Sequence, residues 1–233
     1  MANILLTGAS RGIGAAARTA LIAAGHHVIG QSTGGHDGLL AADLAQPRAA
    51  DALWDAALAA AGGRIDVLVN NAGVFEAADL ADATAFATAW ARSHAINLQA
   101  AADLCRHAVL HFQHHGGGRI INIASRAGHR GDSPSHWHYA AAKAGMIAMT
   151  KTIARAYARD NILAFAIAPG FTMTGMAEDY LASRGGDKLL ADIPLGRVAE
   201  PLEVAETIRW LAADAPPSLT GSTLDINGAS YVR

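Results

Sequence analysis

Short, continuously apolar runs alternate along the chain with longer segments in which apolar residues recur at helical spacing. The apolar runs predict seven buried strands, at 3–7, 27–30, 39–44, 65–72, 119–125, 162–169 and 222–227. The longer segments predict helices at 13–24, 48–61, 79–90, 92–115 and 137–159. Apolar strands that alternate with helices are typical of parallel βαβ units with both sheet faces covered. We therefore predict the α/β class: one domain over residues 1–233, a doubly wound parallel sheet of about seven strands with helices on both faces.

The segment 171–197 interrupts this alternation. It contains Gly175, Gly185, Gly186 and Pro194, and it follows the sixth predicted strand. In an open α/β sheet, ligands bind outside the carboxyl ends of the strands, and a long insertion there is suited to cover them. We therefore predict a loop-plus-helix substrate lid within the same domain.

Composition narrows the class of protein. The formal net charge is -2 and charged residues make up 16% of the chain, without a basic tail, which argues against nucleic acid as a partner. Cys105 is the only cysteine, so no intramolecular disulfide can form and a reducing, cytoplasmic location is expected. No signal peptide is visible and no apolar run reaches about 18 residues, so we expect no membrane span.

The stretch TGASRGIG at residues 7–14 lies between the first predicted strand and the first predicted helix. Glycines in such a turn let the backbone approach a pyrophosphate, and the helix that follows presents N–H groups and the positive end of its dipole. The spacing is Gly-x-x-x-Gly-x-Gly rather than the common Gly-x-Gly-x-x-Gly. On its own, the triplet is also compatible with a tight turn that packs a helix closely against a strand.

Four further motifs follow along the chain. They are NNAG at 70–73, Asn97 in AINLQ, Ser125 fourteen residues before the Tyr139 of YAAAK, and PGFTMT at 169–174. Together with TGASRGIG, they resemble the short-chain dehydrogenase/reductase family, and in particular its ketoacyl-reductase-like branch, from residue 3 to about residue 229. The resemblance implies a Rossmann fold and an oxidoreductase that transfers hydride between a nicotinamide cofactor and a carbonyl or alcohol.

The resemblance also implies four catalytic residues. Tyr139 would protonate the carbonyl oxygen, and Lys143, one helical turn later, is expected to lower the tyrosine pKa together with the oxidised nicotinamide. Ser125 would polarise the substrate oxygen, and it is preferred over Ser133 because it follows a buried strand. Asn97 is expected to hold a water in a proton relay behind Lys143. The plainer alternatives are packing or surface residues, a strand-end cap and a polar residue inside a helix.

The predicted cofactor is NADP(H), with NAD(H) less favoured. The second strand ends in VIGQSTG, with no carboxylate before Asp37 to bind a ribose 2′-hydroxyl. Arg11 has the guanidinium that suits a 2′-phosphate, and Thr33 matches a family position that bonds the same phosphate. A solvated surface charge is the plain alternative for Arg11.

The resemblance extends the cofactor-binding set. Asp43 would contact the adenine, residues 70–73 would form the wall beneath the adenosine side, and Thr172 would contact the carboxamide. The full predicted set is Gly8, Ser10, Arg11, Gly12, Ile13, Gly14, Thr33, Asp43, Leu44, Asn70, Ala72, Gly73, Tyr139, Lys143, Pro169, Gly170, Thr172 and Thr174.

The substrate is the least constrained feature. The loop before Tyr139 holds a polar and aromatic group: His129, Arg130, His136, Trp137 and His138. We expect one or two of the histidines to line the pocket and the others to be solvated. Such a pocket favours a small polar ketone or aldehyde. The stretch HFQHHGGGRI at 111–120 offers little attraction to an acidic carrier protein, with Arg155 and Arg159 as the basic residues left to compensate.

Two alternatives to that substrate stay open. One is a 3-oxoacyl-thioester reductase acting on acyl carrier protein or CoA thioesters, and the remote one is a non-catalytic NADP(H)-binding redox sensor. We expect no metal site, since no carboxylate or cysteine joins the histidines at ligand spacing. The resemblance implies a homo-oligomer, a tetramer or a dimer.

Overall fold

A computed structural model of the protein describes residues 1–174 and 190–233. Its centre is a seven-stranded sheet in the order β3-β2-β1-β4-β5-β6-β7, and every neighbouring pair is parallel. The strands are β1 (Asn3–Leu6), β2 (His27–Ser32), β3 (Leu40–Ala41), β4 (Val67–Asn70), β5 (Gly118–Ile123), β6 (Ile162–Pro169) and β7 (Thr223–Ile226). The predicted doubly wound α/β fold is confirmed.

Seven α-helices cover the sheet within the described residues. They are α1 (Gly12–Ala23), α2 (Ala49–Ala60), α3 (Ala83–His94), α4 (Ala100–His114), α5 (Ala127–Arg130), α6 (Trp137–Tyr157) and α7 (Pro201–Ala213). A π-helical turn, Ala95–Gln99, joins α3 to α4. No helix in the described part of the chain is long and apolar enough to cross a membrane.

Several element boundaries differ from the prediction. The strand predicted at 39–44 is only two residues long, because β3 is an edge strand that pairs with β2 alone. The helix predicted at 79–90 begins at Ala83, because the Asp82 carboxylate accepts hydrogen bonds from the N–H groups of Thr84 and Ala85. Helix α7 was not predicted, although Glu200 and Glu203 form a capping box at its start.

The continuous apolar runs are explained by two cores on opposite faces of the sheet. On β1, Leu5 packs in the core that includes residues of α2 and α4, whereas Ile4 and Leu6 pack in the core that includes residues of α1 and α7. Because successive strand residues point to opposite faces, a strand buried on both sides needs an apolar residue at every position.

The predicted lid at 171–197 falls partly outside the described residues, since residues 175–189 are not described. Its described flanks pack at the carboxyl end of β6. Thr172 forms a parallel bridge with Ala199, and Phe171 packs against Ile193 and Val198. A lid in this segment stays a prediction.

Candidate active site

The turn between β1 and α1 is shaped by glycines and is called the glycine turn below (residues 7–14). Gly8 and Gly12 have φ values of +65° and +54°, which L side chains rarely adopt. A Cβ on Gly14 would lie 1.9 Å from the carbonyl oxygen of Gly8, and one on Gly8 would lie 2.9 Å from the Cα of Ala72. The backbone therefore approaches so closely here that side chains at these positions would not fit. A glycine turn at the start of a helix also presents the backbone N–H groups that suit a phosphate group.

A hydrogen-bonded frame holds the glycine turn against the neighbouring strands. The Asn71 amide donates to the carbonyl oxygens of Thr7 and Gly8 at 3.0 and 3.1 Å, and the Thr7 hydroxyl accepts from the N–H groups of Asn71 and Ala72. The Gly8 N–H donates to the buried Gln31 side chain at 2.9 Å. The sequence analysis did not single out Thr7, Asn71 or Gln31 as individual site residues.

Asn70 has a different place from the one expected. Its amide donates to the Asn122 side chain at 2.9 Å and to the Cys105 sulfur at 3.3 Å, and Asn122 in turn donates to Thr150. This side chain therefore braces β4 against β5, α4 and α6 inside the protein, so only the Asn70 backbone is left to contribute to a cofactor wall. The alternation of side chains along a strand explains why Asn70 points inward and Asn71 does not.

The carboxyl end of β2 carries no acidic side chain. Gln31 and Ser32 are buried, whereas Thr33 is exposed, as are Ser10 and Arg11 on the glycine turn. The Asp43 carboxylate accepts from Gln46 and from the Ala45 N–H, and these hydrogen bonds hold its pKa below the usual value. Asp43 is therefore ionised at neutral pH and shapes a turn, beside the buried Leu44.

The segment after β6 comes back over the glycine turn. The Gly170 N–H donates to the Ile226 carbonyl at 2.8 Å, and Thr172 is 8% exposed. The Cγ2 of Thr174 lies 2.9 Å from where a Cβ on Gly12 would be. The structure thus brings the predicted residues of 169–174 and of the glycine turn to one edge of the sheet.

Ser125, Tyr139 and Lys143 come together beside that edge. Ser125 lies two residues beyond β5, and its hydroxyl accepts from the Ala127 N–H and is close enough to the Tyr139 phenol to favour the phenolate form. Tyr139 and Lys143 are one turn apart on α6. The buried Lys143 ammonium donates to the Ile123 carbonyl at 2.7 Å and lies 5.7 Å from the centre of the Tyr139 ring. A hydroxyl pair backed by an amine can hydrogen-bond a carbonyl oxygen and deliver a proton to it.

The electrostatics of this group differ from the expectation. Burial raises the pKa of Tyr139 to about 12, although the hydrogen bond from Ser125 acts in the opposite direction. Burial also lowers the pKa of Lys143 to about 8. The chain alone does not show the expected lowering of the tyrosine pKa, because desolvation of the phenol dominates, and the lowering by Lys143 together with the oxidised nicotinamide stays a prediction. The phenol is consequently protonated at neutral pH.

Asn97 lies in the π-helical turn and is fully buried. Its amide oxygen accepts from the Val74 N–H at 2.9 Å, and its amide nitrogen donates to the Val74 carbonyl and to the Ser93 hydroxyl. A Cβ on Gly73 would lie 2.9 Å from the Asn97 oxygen and 3.6 Å from the Lys143 nitrogen, so all three residues meet. The side chain of Asn97 thus anchors the segment after β4, and its expected role in holding a water stays a prediction.

Phe75, His136 and Tyr139 form a group of three rings that is called the aromatic wall below. The Phe75 ring stacks on the His136 imidazole with 3.8 Å between centroids, and its edge meets the Tyr139 ring at 4.8 Å. His136 is one of the residues predicted near the pocket, whereas Phe75 was not predicted. The sequence did offer one signal, because Phe75 is an aromatic residue only two positions after the NNAG motif.

The remaining histidines of this loop do not all behave as expected. His138 is 1% exposed, and the His129 ring stacks on Tyr231, so the expectation that the other histidines are solvated is wrong. Trp137 is exposed instead. In residues 1–174 and 190–233, no group of three or more His, Cys, Asp or Glu side chains is placed to hold a metal ion.

Comparison with known proteins shows similarity over nearly the whole chain. A family model described as enoyl-(acyl carrier protein) reductase matches residues 8–229. A 3-oxoacyl-(acyl-carrier-protein) reductase from Synechocystis sp. is 39% identical over 242 residues, which cover 96% of this chain and 94% of that protein. An acetoacetyl-CoA reductase from Acinetobacter sp. is 34% identical over 250 residues, which cover 98% of this chain and 97% of that protein.

Proposed function

Because the chain belongs to the short-chain dehydrogenase/reductase family, in the branch of the 3-oxoacyl reductases, we propose that it reduces the ketone of a 3-oxoacyl thioester to an alcohol with NADPH. The observation that carries this proposal is the Ser125–Tyr139 hydroxyl pair, backed by Lys143, beside the glycine turn. A protein that only sensed the cofactor would not need this proton donor, which argues against the sensor alternative.

The residues present fit a dinucleotide. The glycines let the turn pack closely against Asn71 and Ala72, and Asn71 and Thr7 hold it at the start of α1, where backbone N–H groups suit a pyrophosphate. A bound reduced nicotinamide supplies the hydride. Arg11 is exposed on the turn, where its guanidinium would attract the 2′-phosphate of NADPH. No carboxylate at the end of β2 would repel that phosphate. These features support NADP(H) rather than NAD(H).

The chain's own groups account for the proton side of the reaction. The Ser125 and Tyr139 hydroxyls hydrogen-bond the ketone oxygen, which polarises the carbonyl. As negative charge develops on that oxygen, the Tyr139 phenol gives up its proton, and the nearby Lys143 ammonium stabilises the resulting phenolate. The raised tyrosine pKa keeps the phenol in the form that this step needs.

The names of the relatives favour the thioester over the small polar ketone that the sequence analysis preferred. Between the two thioester carriers, the structure of residues 111–120 supports CoA. The His111 ring accepts a hydrogen bond from the Ile65 N–H, and the Arg119 guanidinium donates to the carbonyls of Leu211 and Ala215. This stretch therefore offers an acidic carrier protein few charges for docking.

The test is a comparison of substrates with the purified chain and NADPH. We expect kcat/KM to be at least about tenfold higher for acetoacetyl-CoA than for small polar ketones that lack the thioester. The reason is that contacts with the remote part of the larger substrate help to stabilise the transition state. The same assay is repeated with acetoacetyl-carrier protein in place of acetoacetyl-CoA, and with NADH in place of NADPH. Faster turnover of the small ketones would reverse the assignment. A homo-oligomer stays a prediction that light scattering of the same sample would check.

A further inference from the structure

The aromatic wall connects the catalytic phenol to an imidazole on the same helix face. His136 immediately precedes α6 and is three residues before Tyr139, which places both side chains on one side of the helix start. The Phe75 ring is nearly parallel to the imidazole, at an interplanar angle of 5°, and meets the Tyr139 ring edge-on at 78°. One side chain therefore fixes the position of His136 relative to the proton donor.

The other contacts of His136 leave one ring nitrogen for a ligand. The Ser133 hydroxyl lies 2.7 Å from Nδ1, and the Ser133 N–H is held by the Asp132 carboxylate. Within residues 1–174 and 190–233, Nε2 has no hydrogen-bond partner, and the side chain is half-buried. When the Ser133 hydroxyl donates to Nδ1, the imidazole proton is on Nε2, where it can donate to a carbonyl oxygen.

The ring is neutral at physiological pH. Burial lowers the pKa of His136, the neighbouring His138 acts in the same direction, and the Asp132 carboxylate opposes both. A neutral donor suits a neutral carbonyl oxygen, because the site does not have to desolvate a charge.

We infer that His136 binds the substrate beside the reacting ketone and recognises a second carbonyl oxygen, that of the thioester in a 3-oxoacyl group. The inference rests on the proposed function. With the ketone oxygen on Ser125 and Tyr139, the second carbonyl is only one methylene away, and His136 lies one helical turn from the phenol. Phe75 and Ser133 are positioning residues that set the plane and the tautomer of the imidazole.

The experiment uses two neutral ketones with seven atoms in the main chain, ethyl acetoacetate and heptan-2-one, of which only the first has a second carbonyl, in its ester group. The measured quantity is the ratio of their kcat/KM values with NADPH. For His136→Phe, which keeps a ring to stack on Phe75 but has no donor, we expect the ratio to fall about 10- to 100-fold. For Ser133→Ala we expect a several-fold fall, because the imidazole loses its tether but keeps its donor. Ser133 is exposed, so this variant tests the inference even if His136→Phe does not fold.

The matched control is Trp137→Phe, an exposed neighbour whose ring contacts Phe86 and not the aromatic wall. This variant should leave the ratio unchanged. An equal loss for both ketones in His136→Phe, or an unchanged ratio, overturns the inference, because a structural role would affect both substrates alike. The proposed function is tested separately, by the wild-type chain alone. If that chain does not reduce acetoacetyl-CoA, the proposed function is refuted, whatever the variants show.

Discussion

The glycine turn between β1 and α1 is closely packed backbone, held by a few polar side chains, whereas the aromatic wall beside Tyr139 consists of side chains from distant segments. On the cofactor side, Gly14 lies against the carbonyl of Gly8, and Asn71 bonds backbone oxygens. On the substrate side, Phe75 and His136 meet ring to ring. A backbone-built region tolerates almost no added atom, while a wall made of side chains can change its chemistry one residue at a time.

This difference predicts that the two halves of the site can be damaged separately. Substitutions in the glycine turn should weaken cofactor binding, while those near the aromatic wall should change turnover or substrate choice and leave the cofactor affinity intact. Frame residues such as Thr7 connect the turn to β4, and Asn97 connects the segment after β4 to the helices. The comparison is therefore tested by asking whether a substitution near the aromatic wall changes the affinity for the cofactor.

The largest effect is expected for Tyr139→Phe. The variant keeps the ring that contacts Phe75 but loses the proton donor and one hydrogen bond to the ketone oxygen. We expect kcat for ketone reduction to fall at least about 1,000-fold, while the Kd for NADPH changes less than about twofold. Turnover would be followed by loss of the reduced cofactor's absorbance, and affinity by its fluorescence. A large change in NADPH affinity would contradict the separation.

The second largest effect is expected when the same glycine-to-alanine change is made in the glycine turn, Gly14→Ala, and in α6, Gly145→Ala. A Cβ on Gly14 would lie 1.9 Å from a backbone oxygen, whereas one on Gly145, in α6, would lie 3.0 Å from a terminal carbon of the Leu98 side chain. We expect Gly14→Ala to weaken NADPH binding about 100-fold or to prevent folding, because a backbone atom has to move. Gly145→Ala should keep near-normal affinity and thermal stability, since Leu98 can shift. Equal tolerance of both would show that the turn is less rigid than its contacts indicate.

A smaller effect concerns the phosphate that distinguishes the two cofactors. Arg11→Ala should raise the Kd for NADPH about 10- to 30-fold and that for NADH less than about twofold, because only NADPH offers a 2′-phosphate to the guanidinium. Arg48→Ala is the matched control, because Arg48 is also exposed and forms a surface ion pair with Asp51 away from the glycine turn. If Arg11→Ala weakens both cofactors equally, the guanidinium does not read the 2′-phosphate.

The sequence predicts the backbone-built half of the molecule better than the other half. Continuous apolar runs such as Ile4, Leu5 and Leu6 indicated strands between two cores, and the motif glycines indicated the turn, because both signals are local. The start of α3 at Ala83 was missed because the Asp82 cap was not weighed against the apolar spacing. Local patterns predict an element more securely than its boundary.

The aromatic wall was beyond such prediction for a physical reason. Phe75 reaches His136 only because Asn97 holds Val74 through both its N–H and its carbonyl, and that contact joins segments far apart in the chain. The raised pKa of Tyr139 in the chain alone was beyond prediction from the sequence for the same reason. Spacing along α6 shows that Lys143 is near the phenol, but only the folded surroundings show that desolvation dominates.

The smallest effect is a pH dependence that should appear in turnover and not in cofactor binding. Lys143 loses its charge as the pH rises through about 8, whereas the Tyr139 phenol keeps its proton up to about 12. Reduction needs the phenol proton and an ammonium to stabilise the phenolate, so kcat should fall roughly three- to tenfold between about pH 7 and about pH 9.

The Kd for NADPH should stay constant over the same range, because the backbone N–H groups of the glycine turn do not titrate. The two measurements on one sample therefore compare the halves of the site without any substitution. A parallel rise in Kd would mean that the charge of Lys143 also holds the cofactor. A flat kcat would mean that the buried amine remains protonated well above its pKa in the free chain, as a phenolate or another anion close to it would require.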